Sequence, residues 1–267
     1  MGGALLSEVL EFAEDLARRT GVLIAEARAD RALDLSYKEG IELLTSADLQ
    51  ADQLIRGEIE KTFPDHYILS EESSPHLTDS AQLRGPLWVI DPIDGTVNYA
   101  YNQQQVGVSI AFAAGGQVQV GVVHCPFVEE TFTARRGAGA WLNGHAIRTS
   151  ECSELSRALI GTGFPYAAEG RVALVDRLRR VLGHCRDIRR VGSAAIDLCW
   201  VAMGRLDGFY EALKPWDLAA AALIAREAGA RVGHLQPVEG ELPEELDGRD
   251  LVAAAPGIYE QLVALLR

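Results

Sequence analysis

The sequence has few cysteines and an excess of acidic over basic residues. Its 267 residues include 4 cysteines, which are scattered without a C-x-x-C pair. Neither a disulfide framework nor a cysteine-based zinc site is therefore predicted. Lysine and arginine total 25 against 38 aspartates and glutamates, which gives a net charge of −13. A field of that sign opposes binding to nucleic acid or to an anionic membrane, so neither is expected as a partner.

Long hydrophobic runs and histidine motifs are also missing. No apolar run approaches the ~18 residues of a membrane span, and the stretch 1–13 has acids but no basic segment of the kind found in secretory signals. The 6 histidines include no H-x-E or H-E-x-x-H grouping that would indicate a zinc or nucleophilic site. We therefore expect a soluble, cytoplasmic protein whose cysteines are free thiols.

The spacing of the apolar residues, which with alanine, tyrosine and cysteine make up 48% of the chain, predicts a mixed α and β protein in two parts. The first part has helices at 4–29 and about 46–63, strands at 67–70 and 87–90 around a polar loop at 73–85, and antiparallel β structure at 105–148. The second has short strands at 158–161 and 187–189, helices at about 167–182, 193–203 and 215–229, a strand at 251–254 and a helix at 256–267. We predict subdomains 1–150 and 151–267, which together form a single catalytic unit with a cleft between them.

Two aspartates follow a predicted buried strand in the segment WVIDPIDGT, residues 88–96. Pro92 fixes its own φ and Gly95 permits a turn that other residues resist, so the carboxylates of Asp91 and Asp94 are expected at the end of the strand. Converging carboxylate oxygens are the ligands that Mg²⁺ prefers, and a cation between them would offset their repulsion. Taken alone, the segment is equally consistent with an ordinary turn that has capping aspartates.

Three further acids stand at positions typical of ligand sites. Glu71 follows the predicted strand 67–70, at the end where open α/β sheets bind their ligands. Asp48 and Asp217 lie in the first turns of predicted helices. Each has a structural alternative, because a strand can simply end in a solvated loop and a first-turn acid can stabilise the helix dipole.

Taken together and in this order, these segments resemble the inositol monophosphatase family, part of a Mg²⁺-dependent, lithium-sensitive phosphatase superfamily. The matching segments are LLTSAD ending at Asp48, LSEES around Glu71, WVIDPIDGTVNY from Trp88, VGSAA from Val191 and PWDLAAA from Pro215. The resemblance implies a layered αβαβα sandwich, the sugar-phosphatase fold, with the active site between the two subdomains. It also implies a homodimer.

The resemblance assigns roles to individual residues and implies two to three Mg²⁺ ions. The metal ligands would be Glu71, Asp91, the carbonyl of Ile93, Asp94 and Asp217. Asp48 and Thr96 would orient and deprotonate the attacking water, with Glu71 as a third catalytic residue. The substrate would contact Asp94, the N–H groups of Gly95 and Thr96, Ala194, Glu211 and Asp217.

The chemistry implied is hydrolysis of a small phosphate monoester by metal-activated water. Inositol-1-phosphate is favoured, because the residues after Thr96 match the inositol monophosphatases. Histidinol phosphate, fructose 1,6-bisphosphate and a nucleotide 3′-phosphate stay open as substrates. A non-catalytic interaction protein on this fold is a third hypothesis, disfavoured because every matched metal-ligand position has its acid. One departure concerns Glu211, which four residues separate from Trp216, one fewer than in the family pattern.

Overall fold

The computed structural model describes residues 3–30, 35–38, 42–76, 79–164 and 171–267. Its first half contains α1 (Gly3–Ala29), β1 (Leu35–Lys38), β2 (Glu42–Thr45), α2 (Ser46–Thr62), β3 (Tyr67–Ser70), α3 (Ser80–Arg84), β4 (Leu87–Asp94), α4 (Thr96–Ala100), β5 (Gly107–Ala114), β6 (Gln117–Cys125), β7 (Glu130–Arg135), β8 (Gly139–Leu142) and β9 (His145–Ala146). Its second half contains β10 (Leu159–Thr162), α5 (Arg171–Leu182), β11 (Asp187–Arg189), α6 (Ala194–Ala202), β12 (Gly208–Leu213), α7 (Pro215–Glu227), β13 (Arg231–His234), β14 (Gly248–Ala254) and α8 (Tyr259–Leu266).

Two large sheets organise these elements. The first has seven strands in the order β3-β4-β5-β6-β7-β8-β9, of which β3 and β4 are parallel and the others antiparallel. The second has five strands in the order β11-β10-β12-β14-β13, with β10 parallel to both of its neighbours. β1 and β2 form a separate antiparallel pair.

The sheets and helices alternate in five layers. The side chains of β4 alternate between two cores, Trp88 toward α1 and α2 and Val89 toward α6 and α7. On β14, Leu251 faces the α6–α7 layer and Val252 faces α8. This period of two is what a sheet covered on both faces requires. The predicted αβαβα sandwich is confirmed.

The middle layer packs closely against the seven-stranded sheet because small residues meet there. A Cβ built on Gly121 of β6 would lie 2.6 Å from the carbonyl oxygen of Ala220 in α7. Residues 218–225 of α7 are all buried, so this helix is apolar on every side, as expected for a helix between two sheets. The division into 1–150 and 151–267 stays a prediction. None of the described helices combines the length and apolar character that a bilayer span needs.

Several local predictions were wrong. The strand predicted at 87–90 continues through Asp94, because Asp91 and Asp94 pair with β5 across a bulge. The predicted polar loop 73–85 contains α3, which begins where Asp79 accepts a hydrogen bond from the N–H of Ala81. β1, β2, β12 and β13 were not predicted. The predicted helix at 167–182 is observed from Arg171, and its first four positions lie outside the described residues.

A buried histidine lies where α1 crosses β6. A Cβ on Gly21 of α1 would lie 2.5 Å from the ring of His124, whose Nδ1 is 2.8 Å from the Thr131 hydroxyl. Burial, helped by the nearby Arg18, lowers the pKa of His124 from 6.5 to about 4, against smaller opposing effects of Glu14 and the Glu130 backbone. The ring is therefore neutral when α1 is docked.

We expect His124 to make the fold sensitive to mild acid. Between pH 6.5 and about 4 the unfolded chain binds a proton that the folded chain does not. The free energy of unfolding should therefore fall as pH falls through this window, by up to about 1.4 kcal/mol per pH unit. Urea unfolding at several pH values should show a flatter dependence for His124→Gln than for wild type. Equal slopes for the two proteins would contradict this assignment.

Candidate active site

Three acids that are distant in the sequence meet at one point. Carboxylate oxygens of Asp91, Asp94 and Asp217 all lie within 4.8 Å of one another. The first two come from the end of β4, and the third from the first turn of α7. Asp217 is oriented by the N–H of Lys214, which donates to its Oδ2 at 2.8 Å. Pro215 suits this first turn, because it has no N–H to leave unpaired.

Burial and mutual repulsion make this cluster unfavourable for negative charge. The pKa of Asp91 is raised well above its usual value, first by burial and then by Glu71, Asp94 and Asp217. Burial and the charge of Asp94 also raise the pKa of Asp217. An oxygen-only, electron-rich set of this kind fits a hard divalent cation, whose charge would offset the repulsion.

Asp94 is partly compensated by the start of α6. The hydroxyl of Ser193 and the N–H of Ala195 donate to its Oδ2, at 2.5 and 2.8 Å. These hydrogen bonds oppose the effect of burial, and the pKa of Asp94 rises only to about 6. Sequence analysis did not single out Ser193 as a partner of Asp94, although it lies in the VGSAA segment that carried the resemblance.

Glu71 lies beside this cluster but outside the closest group. Its N–H donates to the carbonyl of Ile90 at 3.3 Å, and its carboxylate is hydrogen-bonded with Asp91. Glu71 and the three aspartates line one cavity of about 330 Å³. The structure therefore brings together all four predicted acidic metal ligands.

Thr96 connects the cavity to a fully buried acid. Its hydroxyl lies 3.3 Å from Oδ1 of Asp48 and 3.1 Å from the carbonyl oxygen of Ile93. The other oxygen of Asp48 accepts hydrogen bonds from the N–H and the hydroxyl of Thr45, at 2.7 and 2.6 Å. Asp48 thus holds the start of α2 and also reaches the cavity through Thr96. The structural and functional interpretations of this acid are both compatible with its contacts.

Gly95 allows the chain to turn from β4 into α4. Its φ is +92°, and a Cβ there would lie 2.9 Å from the carbonyl oxygen of Gln105. A side chain would be strained as well as crowded at this position. The glycine therefore lets α4 begin directly beside the acidic cluster, where its first N–H groups adjoin the cavity.

The carboxylate of Glu211 reaches the cavity despite the shortened segment before Trp216. It lies directly over Gly163, where a built Cβ would be 2.0 Å from Glu211 Oε2. The pairing of β12 with β14 shifts register after Glu211, with the additional residue on β14. Burial raises the pKa of Glu211 to about 7, although the Arg190 guanidinium opposes the rise.

Every predicted site residue except Asp48 lines the cavity, including Ile93 and Ala194. Asp48 contacts Thr96, which does line the cavity. The lining also includes residues that were not predicted as part of the site, namely Pro75, His76, Phe164, Arg190, Gly192, Lys214 and Trp216. Gly192 and Trp216 lie within the matched segments VGSAA and PWDLAAA, and Arg190 and Lys214 lie just before them, so these segments were the sequence signal for four of the residues.

Known proteins share both this sequence and this fold. The chain is 37% identical over 267 residues to the Nus factor SuhB of Salmonella typhimurium, covering 97% of this chain and 96% of the relative. The Nus factor SuhB of Escherichia coli is 37% identical over 262 residues, with the same coverage.

Solved structures superpose over nearly the whole chain. The extragenic suppressor protein suhB of Bartonella henselae gives a TM-score of 0.88 at 31% identity, over 97% of this chain and 98% of that one. The IMPase of Thermotoga maritima gives a TM-score of 0.84 at 32% identity, over 97% of this chain and 96% of that one. The profile of the inositol monophosphatase family matches residues 5–267. With its acidic cluster and five-layer fold, the chain belongs to the inositol monophosphatase family of phosphatases.

Proposed function

We propose that this chain is a Mg²⁺-dependent phosphatase that hydrolyses a small phosphate monoester, with inositol-1-phosphate as the favoured substrate. The observation that carries the proposal is the convergence of Asp91, Asp94 and Asp217 within 4.8 Å of one another. Membership of the family and the single cavity that these acids share with Glu71 support it.

Two to three Mg²⁺ ions would be held by Glu71, Asp91, the carbonyl of Ile93, Asp94 and Asp217. When bound, such ions supply positive charge to a phosphate dianion and lower the pKa of coordinated water. The acids of this chain set where that charge lies. Without it, the field of the cavity would repel the substrate, since the protein itself has a net charge of −13.

Thr96 and Asp48 would orient the attacking water and take its proton. The Thr96 hydroxyl has one proton, which it can donate to Asp48 while its lone pair accepts a hydrogen bond from the water. A hydroxyl is a weak base alone, but the paired carboxylate can accept the proton that it relays. The N–H groups of Gly95 and Thr96, at the start of α4, would hold phosphate oxygens.

The alcohol part of the substrate would lie against Asp94, Ala194, Glu211 and Asp217. Carboxylates accept hydrogen bonds from the hydroxyl groups of a polyol, which favours inositol over an apolar leaving group. Histidinol phosphate, fructose 1,6-bisphosphate and a nucleotide 3′-phosphate are the alternative substrates. From the family likeness and the composition we also propose a homodimer that is located in the cytoplasm and inhibited by Li⁺.

The relatives are named Nus factor, which favours a second candidate function: this chain would act as a Nus factor. Catalysis is preferred, because a purely associative protein has no need for a buried cluster of repelling acids. A panel of phosphate esters assayed with and without Mg²⁺ separates the two candidates. Release of phosphate from none of them would favour the second.

The acidic cluster should be essential for turnover. Phosphate release from inositol-1-phosphate should require Mg²⁺ and stop in EDTA, and Asp94→Asn should lower kcat by at least about 10²–10³-fold, because it removes charge where the phosphate is stabilised. The exposed Asp65→Asn variant, which removes one surface charge, is the control. Full activity of Asp94→Asn, or of wild type in EDTA, would refute the metal assignment.

The Thr96–Asp48 pair should act as a unit. Thr96→Ala should lower kcat about 10²–10⁴-fold with little change in KM, the usual contribution of positioned acid–base help. Asp48→Asn should have a similar effect, and the double variant should be barely worse than either single one. Steady-state kinetics of the four proteins, with unfolding curves to correct for the lost contact to Thr45, would measure this. Additive losses, or a defect confined to KM, would show that no relay exists.

Glu211 should determine recognition of the polyol. Well above pH 7, where Glu211, with a pKa of about 7, is ionised, Glu211→Gln should raise KM for inositol-1-phosphate about 10-fold with a small change in kcat, because hydrogen bonds to a charged acceptor are the stronger ones. Hydrolysis of phenyl phosphate, which has no hydroxyl groups on its ring, should be unaffected. Glu154→Gln, an exposed change of the same kind, serves as the matched control. An equal loss for both esters would place Glu211 outside the polyol site.

A further inference from the structure

A second buried carboxylate lies one helical turn beyond Asp48 on α2. Asp48 and Asp52 are four residues apart and therefore share one face of the helix. Asp48 is 0% exposed and Asp52 is 5% exposed. Asp48 faces Thr96 at the start of α4, whereas Asp52 accepts a hydrogen bond from the hydroxyl of Ser70 at the end of β3. The helix thus presents one carboxylate to each of two walls of the active site.

Ser70 passes this contact on to Glu71. Its hydroxyl donates to Asp52, and its oxygen accepts a hydrogen bond from the N–H of Glu72 at 3.3 Å. The N–H of Glu71 donates to the carbonyl of Ile90 at 3.3 Å, immediately before Asp91 in β4. The peptide groups on both sides of the Glu71 side chain are therefore fixed, one to β4 and the other through Ser70 to α2.

Stabilisation of the helix dipole does not explain the position of Asp52. It lies in the second turn of α2, beyond the first turn in which an acid stabilises a helix dipole. Ile55, one turn further along the same face, and the adjacent Ala51 belong to the apolar core beneath the seven-stranded sheet. Burying a carboxylate there costs free energy that an apolar side chain would not. A specific contact has to offset that cost, and the contact observed leads to Ser70.

We propose that Asp52 is a positioning residue that acts through Ser70 to hold Glu71 in the geometry needed to bind Mg²⁺. This inference rests on the proposed function, because it assigns Glu71 to the metal. Groups that hold a metal ligand in place, without touching the metal, fix its orientation and contribute to affinity. The two acids of α2 then have separate roles. Asp48 supports Thr96, which orients the attacking water, and Asp52 supports Glu71, which binds the metal.

The test compares Mg²⁺ binding by Asp52→Ala, Asp52→Asn and Ser70→Ala with that of wild type, by isothermal titration calorimetry without substrate. Asp52→Ala and Ser70→Ala should each weaken Mg²⁺ affinity about 10–100-fold. The double variant should be little worse than either, because both changes break one connection. Asp52→Asn should recover part of the affinity, since its amide oxygen still accepts from Ser70. At saturating Mg²⁺, kcat should return to within about threefold of wild type, because the proposed role is to hold the metal ligand.

Two control variants on α2 separate positioning from general damage. Glu60→Gln removes an exposed charge from the same helix, and Ile59→Val loosens the buried core by about 0.5–1.5 kcal/mol. Neither should change Mg²⁺ affinity. Should Asp52→Ala fail to fold, the smaller change Ser70→Ala decides the question.

The possible failures are distinguishable. Wild-type affinity in Ser70→Ala overturns the inference and leaves the proposed function intact. A weakening in Ile59→Val as large as that in Ser70→Ala also overturns it, because loss of stability alone would then suffice. A wild-type protein that neither binds Mg²⁺ nor releases phosphate overturns the inference and the proposed function together.

Discussion

Repulsion between buried carboxylates at the end of β4 is the constraint around which the site is arranged. Asp91 and Asp94 lie on a strand buried along its whole length, so water can do little to disperse their charge. The surroundings offset part of this cost, because the start of α6 lies beside Asp94 and its Ala195 N–H donates a hydrogen bond to this carboxylate. Protonation of a carboxyl group or a bound cation would offset the remaining cost. Under the proposed function, such a cation would let a chain with a net charge of −13 bind a phosphate ester at this acidic cluster.

The two middle helices, α6 and α7, pack against both sheets and also contribute residues to the acidic cluster. α7 is apolar on all sides because it lies between them, and its first turn still carries Asp217 to the cavity. α6 packs beside it and supplies Ser193 and Ala195 to Asp94. The chemistry is therefore assembled across the layers, with one wall from each half of the chain. Correct packing of the core and correct geometry of the acids are the same structural requirement.

Sequence reasoning recovered those features whose signal is local. The amphipathic period of α1, the capping and stop residues of α2 and the strand before Asp91 predicted the first layers and the position of the first acids. Neither β12 nor β13 was predicted. β13 is four residues long and half-exposed, and only its pairing with β14 makes it a strand. Arg190 and Lys214 reach the cavity from separate segments, and no spacing rule connects them. Contacts of that kind are set by the packing of layers rather than by neighbours in the chain.

The close approach of Gly121 to Ala220 has a consequence for how this protein can vary. Ala220 lies only three residues, about one helical turn, beyond Asp217 on α7, and a larger side chain at Gly121 would push this part of the helix away from the sheet. The first turn of α7, which carries Asp217 and adjoins this contact, would move as well. Under the proposed function, selection for turnover would therefore restrict substitutions at positions that never contact the substrate. Substitutions at this one buried glycine would then change the packing of the core and the geometry of the acidic cluster together.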